Sequence, residues 1–268
     1  MASGLRQRVP TALLLAALVV AILFWLPPGV AVTAVMVVVA AGAWEWAGLA
    51  GIAAQSGRIA YAASVMACVA FAWLLAMPGL HALLWCSAAW WLAATAWVVL
   101  APGAGGRVGT AVAGFLVLVP AAVGLGRIAE LAPDGQLLLL FLLVLVAAAD
   151  VGAYFGGRTF GRRKLAPRVS PNKTWEGFWS GVVAAACAAA VGGWLLGAQL
   201  LPWIVVCLLV ALVSVVGDLV ESMFKRKAGL KDSSGLLPGH GGVLDRLDSL
   251  SAAGPMFLLG LQVIGVPG

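Results

Sequence analysis

Charged residues are scarce in this chain of 268 residues. Only 10% of its residues are Asp, Glu, Lys or Arg, whereas 63% are hydrophobic, and its mean hydropathy is +1.07. Soluble domains carry about 25% charged residues, so the composition excludes an ordinary soluble fold. Long apolar runs instead predict an all-α polytopic membrane protein, because helices satisfy their own backbone hydrogen bonds in lipid.

Cysteine and histidine are also rare, with four and two residues respectively. The cysteines lie singly inside apolar runs, without a CxxC pair or a nearby histidine, which argues against a zinc or redox site. The chain also lacks a Walker loop, a dinucleotide-binding glycine fingerprint, an HExxH motif and a nucleophile elbow. The net charge of +6 lies in the segments between apolar runs, so it predicts membrane topology and no nucleic-acid partner.

Nine apolar stretches predict about nine transmembrane helices. As helices, most are long enough to cross about 30 Å of hydrocarbon. We place them at residues 9–26, 30–50, 59–77, 80–100, 109–126, 136–156, 176–197, 200–221 and 249–266. The first is expected to be a retained anchor, and a Pro-Pro-Gly sequence separates it from the second. We expect residues 1–130 to form an N-terminal group of about five spans and residues 131–268 to form a C-terminal group that carries the long charged loops.

The distribution of basic residues predicts the orientation of these spans. With nine spans and a cytoplasmic N-terminus, 15 of the 16 Lys and Arg residues lie in the cytoplasm, and only Arg127 lies outside. We therefore expect a multi-pass protein of the inner or plasma membrane, with charged cytoplasmic loops at 157–175 and 222–248. The sequence leaves a homodimer open. Several tryptophans near span ends are expected to be interfacial anchors: Trp44, Trp46, Trp175, Trp179 and Trp203.

Half of the ten carboxylates and five of the sixteen cations lie between Asp218 and Asp248. Charges near a bilayer cost free energy, so this cluster predicts a functional site. Asp218 and Glu221 are three residues apart at the end of one predicted helix, and Asp245 and Asp248 repeat that spacing at the start of the next. Such carboxylates suit one or two Mg²⁺ ions. Helix capping with salt bridges to nearby arginines is the alternative.

Cations and glycines in the same cluster suit phosphate. Lys225, Arg226 and Lys231 are candidates for neutralising phosphate oxygens, although anchoring at the membrane surface would use the same residue types. The sequence from residue 238 to residue 242 predicts a turn whose backbone N–H groups could bind an anion. His240, within this turn, is more typical of an orienting residue than of a catalytic one.

Two further features lie outside this cluster. The segment 170–177 predicts a helix start, with Thr174 as the N-cap and with Asn172 and Lys173 near a neighbouring anion. A capped helix at a basic membrane surface explains this segment equally well. Asp150 lies inside the sixth predicted span, and an intramembrane carboxylate is a candidate site residue.

The C-terminal cluster contains one continuous pattern of 27 residues. It reads Ser222-x-Phe224-Lys225-Arg226-x4-Lys231-Asp232-x-Ser234-x2-Leu237-Pro238-x-His240-Gly241-Gly242-Val243-x-Asp245-Arg246-Leu247-Asp248. This pattern resembles the diagnostic motif of phosphatidate cytidylyltransferases, the CDP-diacylglycerol synthases of membranes. Two other blocks resemble the same family, Asp150-x-Gly152-Ala153-Tyr154 and the segment 170–177, in which Asn172 stands where a lysine is common.

The resemblance implies an enzyme, a nucleotidyltransferase that transfers CMP from CTP to phosphatidate and releases pyrophosphate. It implies Mg²⁺ as cofactor, with a second cation left open, and CTP, phosphatidate and the lipid bilayer as partners. The implied metal ligands are Asp218, Asp245 and Asp248, with Asp150 as a further candidate. The implied catalytic residues are Lys225, Arg226, Lys231, Asp232 and His240. The implied substrate-binding residues are Ser170, Asn172, Lys173, Thr174, Ser222, Gly241, Gly242 and Arg246.

Two other functions stay open. A CTP-dependent polyprenol or lipid kinase would use similar metals and cations but would attack the γ-phosphorus of CTP. A transporter of ions or lipid phosphates would use Asp150 and the acidic cluster as its pathway. Transporters typically place their binding residues at mid-membrane on broken helices, whereas most charge in this chain lies at one predicted membrane face.

Overall fold

A computed structural model describes residues 17–237 and 241–265 of the chain. The first eight residues of the span predicted at 9–26, the expected anchor, lie outside these residues. The described part forms α1 (residues 17–25), α2 (Pro28–Leu49), α3 (Gln55–Trp73), α4 (Met77–Leu100), α5 (Arg107–Glu130), α6 (Gly135–Phe160), β1 (Lys164–Ala166), β2 (Ser170–Thr174), α7 (Trp175–Leu195), α8 (Leu200–Lys227) and α9 (Leu244–Val263).

Seven of these helices, α2 to α8, are long and apolar enough to cross a membrane. The prediction of a helical, multi-pass membrane protein is therefore confirmed. Both ends of the segment predicted as a loop at 222–248 are helical, because α8 continues to Lys227 and α9 begins at Leu244. Charge explains both extensions: three cations lie in the last turn of α8 and Asp245 lies in the first turn of α9, where each complements the helix dipole.

The loop predicted at 157–175 contains a β-hairpin, so the fold is nearly, not wholly, α-helical. Strands β1 and β2 are antiparallel, with Lys164 opposite Thr174 and Ala166 opposite Ser170. Helix α7 starts directly after β2, and the hydroxyl of Thr174 accepts the backbone N–H of Gly177 at 3.1 Å. The predicted N-cap is confirmed, and it fixes the direction in which the hairpin leaves α7.

Glycines allow α6 and α7 to pack closely. Gly152 and Gly156 on α6 face Gly177 and Gly181 on α7, each pair four residues apart. A Cβ added to Gly156 would lie 2.0 Å from the Ser180 hydroxyl oxygen, and one added to Gly181 would lie 2.7 Å from a backbone oxygen of α6. Small residues at this spacing are typical of close helix pairs in membranes. This packing holds the C-terminal half of α6 beside β2.

Helix α9 lies in the middle of the bundle and contacts α2, α4, α5, α6 and α8. Its approach to α8 depends on Gly217, because a Cβ there would lie 2.5 Å from the backbone oxygen of Asp248. The two predicted carboxylate pairs are thereby brought together.

Two predicted interfacial anchors are instead part of the core. Trp46 and Trp203 are each 1% exposed, and their indole N–H groups donate to the backbone oxygens of Thr110 and Ala189. The prediction is wrong for both residues, because an interior hydrogen-bond acceptor replaces the water that an interfacial tryptophan would use. Trp175 and Trp179 are exposed.

Candidate active site

A cavity of about 550 Å³ opens between α6, the hairpin, α7 and α8. Its lining combines residues from the segment 170–177 with Asp218 from the C-terminal charged cluster. The lining residues are Asp150, Ala153, Tyr154, Gly157, Arg158, Leu165, Asn172, Lys173, Thr174, Gly177, Phe178, Val215 and Asp218. Five residues predicted to belong to the site therefore share one cavity.

An ion pair joins the two regions. The Lys173 ammonium nitrogen on β2 lies 2.6 Å from Asp218 Oδ2 on α8, and both side chains remain a quarter exposed. The hydroxyl of Ser222, one turn later on α8, donates to Asp218 Oδ1 at 3.2 Å. The lysine and the carboxylate are thus held at the cavity wall, where a phosphate group or a cation can reach them.

Two more carboxylates lie close to this pair. Asp248 interacts electrostatically with Asp218 and with Asp150, and Asp150 also interacts with Lys173 and Arg246. We call Asp150, Asp218 and Asp248, together with Lys173, the open cluster. Mutual repulsion among three carboxylates in an apolar bundle favours the binding of a cation.

The open cluster suits magnesium by its chemistry, since carboxylate oxygens are the ligands of hard cations. Within the described ranges, no group of three His, Cys, Asp or Glu side chains is arranged to hold a metal ion. Magnesium does not require such a cage, because it usually keeps several waters and binds through one or two carboxylates together with substrate phosphates. Asp218 and Asp248 fit that requirement.

Asp245 forms a different set of contacts. Its Oδ1 lies 2.6 Å from the Lys225 ammonium, which is also 2.9 Å from Glu221 Oε1. Its Oδ2 accepts the backbone N–H groups of Gly242 at 2.7 Å and Ser233 at 3.0 Å. Both oxygens therefore have partners within the protein, and Lys225 is only 9% exposed. The metal-ligand role of Asp245 and the phosphate role of Lys225 stay predictions.

Glu45 is a residue that sequence reasoning missed. It lies on α2, is 1% exposed, and accepts hydrogen bonds from Ser233, Ser234, Val243 and Leu244, all in or next to the motif loop. The available signal was its position as a lone carboxylate inside an apolar span, the same signal that drew attention to Asp150. We call Glu45, Glu221 and Asp245, together with Lys225, the closed cluster.

The two motif glycines are required by close contacts. Gly241 has a φ of 79°, and a Cβ there would lie 2.6 Å from Asp245 Oδ2. A Cβ at Gly242 would lie 2.0 Å from the hydroxyl oxygen of Ser233 and 2.6 Å from both oxygens of Glu45. These glycines therefore let the loop fold tightly around two carboxylates.

The remaining predicted residues have varied surroundings. Lys231 and Asp232 are exposed on the loop after α8. Arg226 donates to the backbone oxygen of Leu230 at 3.3 Å and lines a second cavity, of about 640 Å³. Ser170 pairs with β1 at the far end of β2 from Lys173. His240 lies outside the described residues.

Comparisons with known proteins cover nearly the whole chain. The sequence model of the cytidylyltransferase family matches residues 6–264 of the chain. The chain is 48% identical over 269 residues to a phosphatidate cytidylyltransferase of Pseudomonas aeruginosa, covering 97% of this chain and 98% of the relative. It is 37% identical over 280 residues to the enzyme of the same name from Haemophilus influenzae, covering 94% and 97%. Over 117 residues it is 50% identical to one from Helicobacter pylori, covering 43% and 44%.

Proposed function

This chain belongs to the cytidylyltransferase family, and we propose that it transfers the CMP group of CTP to phosphatidate, giving CDP-diacylglycerol and pyrophosphate. Full-length similarity to two phosphatidate cytidylyltransferases supports the reaction. The structural observation that carries the proposal is the meeting of Lys173 and Asp218 in one cavity, since phosphate transfer needs a cation and metal-binding carboxylates together.

The proposed reaction needs little general acid–base catalysis from the protein. A phosphate monoester has a second pKa of about 6, so the lipid phosphate is already a dianion for much of the time at neutral pH. One of its oxygens forms a bond to the α-phosphorus of CTP while the bond from that phosphorus to the bridging β-phosphate oxygen breaks. The electron pair leaves with pyrophosphate. The barrier is then mainly charge and alignment.

Lys173 is the residue that we assign to the phosphates. In the structure its ammonium pairs with Asp218 at the cavity wall. A triphosphate in the cavity would compete for this ammonium, and Asp218 would then be available to a cation. Arg158, on the same cavity wall, adds a second positive charge.

Magnesium is the cofactor that we propose, with Asp218 and Asp248 as its protein ligands and Asp150 beside them. When bound, such an ion neutralises negative charge on the triphosphate and its leaving group. Asp245 is kept as a candidate ligand. Its present partners, Lys225 and the backbone of the motif loop, favour a role in holding that loop.

We also propose that the protein lies in the inner membrane of the cell and that the cavity faces the cytoplasm. The positive-inside rule supports this orientation, because 15 of the 16 Lys and Arg residues then lie on the cytoplasmic side. CTP would reach the cavity from that side. Tyr154, Phe155 and Trp179 are exposed on α6 and α7 near the cavity, and they provide an apolar surface for the acyl chains of the lipid.

One labelling experiment tests the reaction. The purified protein is given phosphatidate, Mg²⁺ and CTP that carries a label on either the α- or the γ-phosphate. We expect the α-label to enter the lipid and the γ-label to appear in pyrophosphate. Entry of the γ-label into lipid, with release of CDP, would show a kinase, and no transfer of either label would contradict the proposed CMP transfer.

A further inference from the structure

Helix α9 starts with a residue that cannot cap it. The N-cap position is Val243, whose side chain carries no hydrogen-bonding group. The first N–H groups of a helix need acceptors from elsewhere. Glu45, almost 200 residues earlier in the chain, accepts the N–H of Val243 at 3.0 Å and that of Leu244 at 2.7 Å. A negative charge at this end of α9 also complements the helix dipole.

The same carboxylate holds the loop that precedes α9. The hydroxyl of Ser234 donates to Glu45 Oε1 at 2.5 Å, and the hydroxyl of Ser233 lies 2.9 Å from Oε2. Each carboxylate oxygen therefore accepts two hydrogen bonds. This satisfies a charge that is 1% exposed and would otherwise be costly to bury.

Glu45 is also linked to the motif carboxylate Asp245. The Ser233 hydroxyl lies 2.9 Å from Glu45 Oε2 and 3.0 Å from Asp245 Oδ2, so the two carboxylates share its single proton. The described lining of the 550 Å³ cavity comes from α6, the hairpin, α7 and α8, whereas Glu45 lies on α2. Any effect of Glu45 on the reaction must then pass through the loop and α9.

We propose that Glu45 is a positioning residue for CMP transfer. It fixes Ser233 and Ser234 in the loop after α8 and the first turn of α9, and so determines where Asp248 lies relative to Asp218. This inference rests on the proposed function and assigns a role in it to the N-terminal spans. It explains why a charged side chain occupies the interior of an otherwise apolar helix.

The test uses the full chain in lipid nanodiscs, with Glu45→Gln as the main variant. Glutamine keeps the size but replaces one acceptor oxygen with a donor that faces other donors. We expect kcat to fall roughly thirtyfold, the loss typical of one charge-assisted hydrogen bond. Hydrogen exchange should rise at the amides of residues 233–237 and 241–244 and stay unchanged in α3, α4 and α7. The matched control is Glu130→Gln, the same change on the exposed end of α5, which should leave both measurements unchanged.

A double-mutant cycle separates positioning from general stability. Ser234→Ala should lower kcat severalfold, and adding it to Glu45→Gln should lower kcat no further, because both changes remove the same contact. Multiplied effects would overturn the proposal, as would a uniform rise in exchange over the whole protein. If Glu45→Gln does not fold, Glu45→Asp, which keeps the charge, replaces it in the same cycle. The exchange measurement keeps its meaning even if the wild type transfers no CMP.

Discussion

The open and the closed clusters each combine three carboxylates with one lysine, but their surroundings are opposite. In the open cluster, Lys173 and Asp218 are each a quarter exposed at a cavity wall. In the closed cluster, Lys225 is buried between Glu221 and Asp245, and Glu45 accepts four hydrogen bonds from the protein. The comparison separates two kinds of charge. Our proposal assigns the charges at the cavity wall to the substrate, and it assigns the charges paired inside the protein to holding the first set in place.

Substitutions in the closed cluster should mainly lower the stability of the protein. Lys225→Ala would leave Glu221 and Asp245 buried without their cation, and removal of one partner from a buried ion pair costs about 3 kcal/mol or more. We expect a marked fall in the melting temperature of the protein in detergent. The control is Lys227→Ala, the same substitution at a lysine two positions further along α8. An unchanged melting temperature for Lys225→Ala would show that the pair is not a structural element.

Substitutions in the open cluster should mainly lower the rate of CMP transfer. Asp218→Asn and Asp248→Asn keep the shape of each side chain but remove the charge that a hard cation requires, so we expect each to lower the rate of CMP transfer at least about a hundredfold. Melting temperatures should stay near that of the wild type. Near-normal rates with unchanged Mg²⁺ dependence would place the metal elsewhere.

Lys173 in the open cluster and Lys225 in the closed cluster should differ most clearly in their effects on activity and stability. Lys173→Ala should slow transfer roughly thirtyfold by removing one charge-assisted phosphate contact. It should change the free energy of unfolding by less than about 1 kcal/mol, because its ion pair is partly exposed. Activity and stability measured on both lysine variants would test this division. A large loss of stability in Lys173→Ala would erase the difference between the clusters.

The smallest effect is expected at Lys227. Its ammonium contacts the backbone oxygen of Ala104 and lies 4.4 Å from the centre of the Trp97 ring, away from both clusters. Lys227→Ala should therefore reduce transfer by less than about threefold, as for a surface cation. A loss as large as that of Lys173→Ala would mean that total loop charge matters more than placement.

Much of the fold could be predicted from local sequence. Apolar runs identified the seven helices that are long and apolar enough to cross a membrane, because a helix in lipid needs a long apolar surface. The N-cap at Thr174 followed from its position before a helix, and the structure confirms it. The meeting of segment 170–177 with Asp218 was predicted only through a resemblance, since no local pattern specifies which helices pack together.

The closed cluster could not be predicted, because its contacts connect distant parts of the chain. Glu45 and Ser233 are 188 positions apart. Spacing alone also placed Asp218 and Glu221 on one helix face, yet Asp218 faces the cavity and Glu221 faces Lys225. The difference arises from α9, whose approach depends on Gly217 and on burial that periodicity does not reveal.

The most direct test of the account asks whether substrate enters the cavity beside Lys173. With the four native cysteines replaced, a single cysteine is placed at Asn172, which lines the cavity, or at the exposed residue Pro167 in the hairpin turn. The rate of modification by a thiol reagent is then measured with and without CTP and Mg²⁺. We expect near-saturating CTP to slow modification of Asn172→Cys at least about tenfold and to leave Pro167→Cys unchanged. Equal rates with and without CTP at both positions would contradict the assignment of this cavity as the active site.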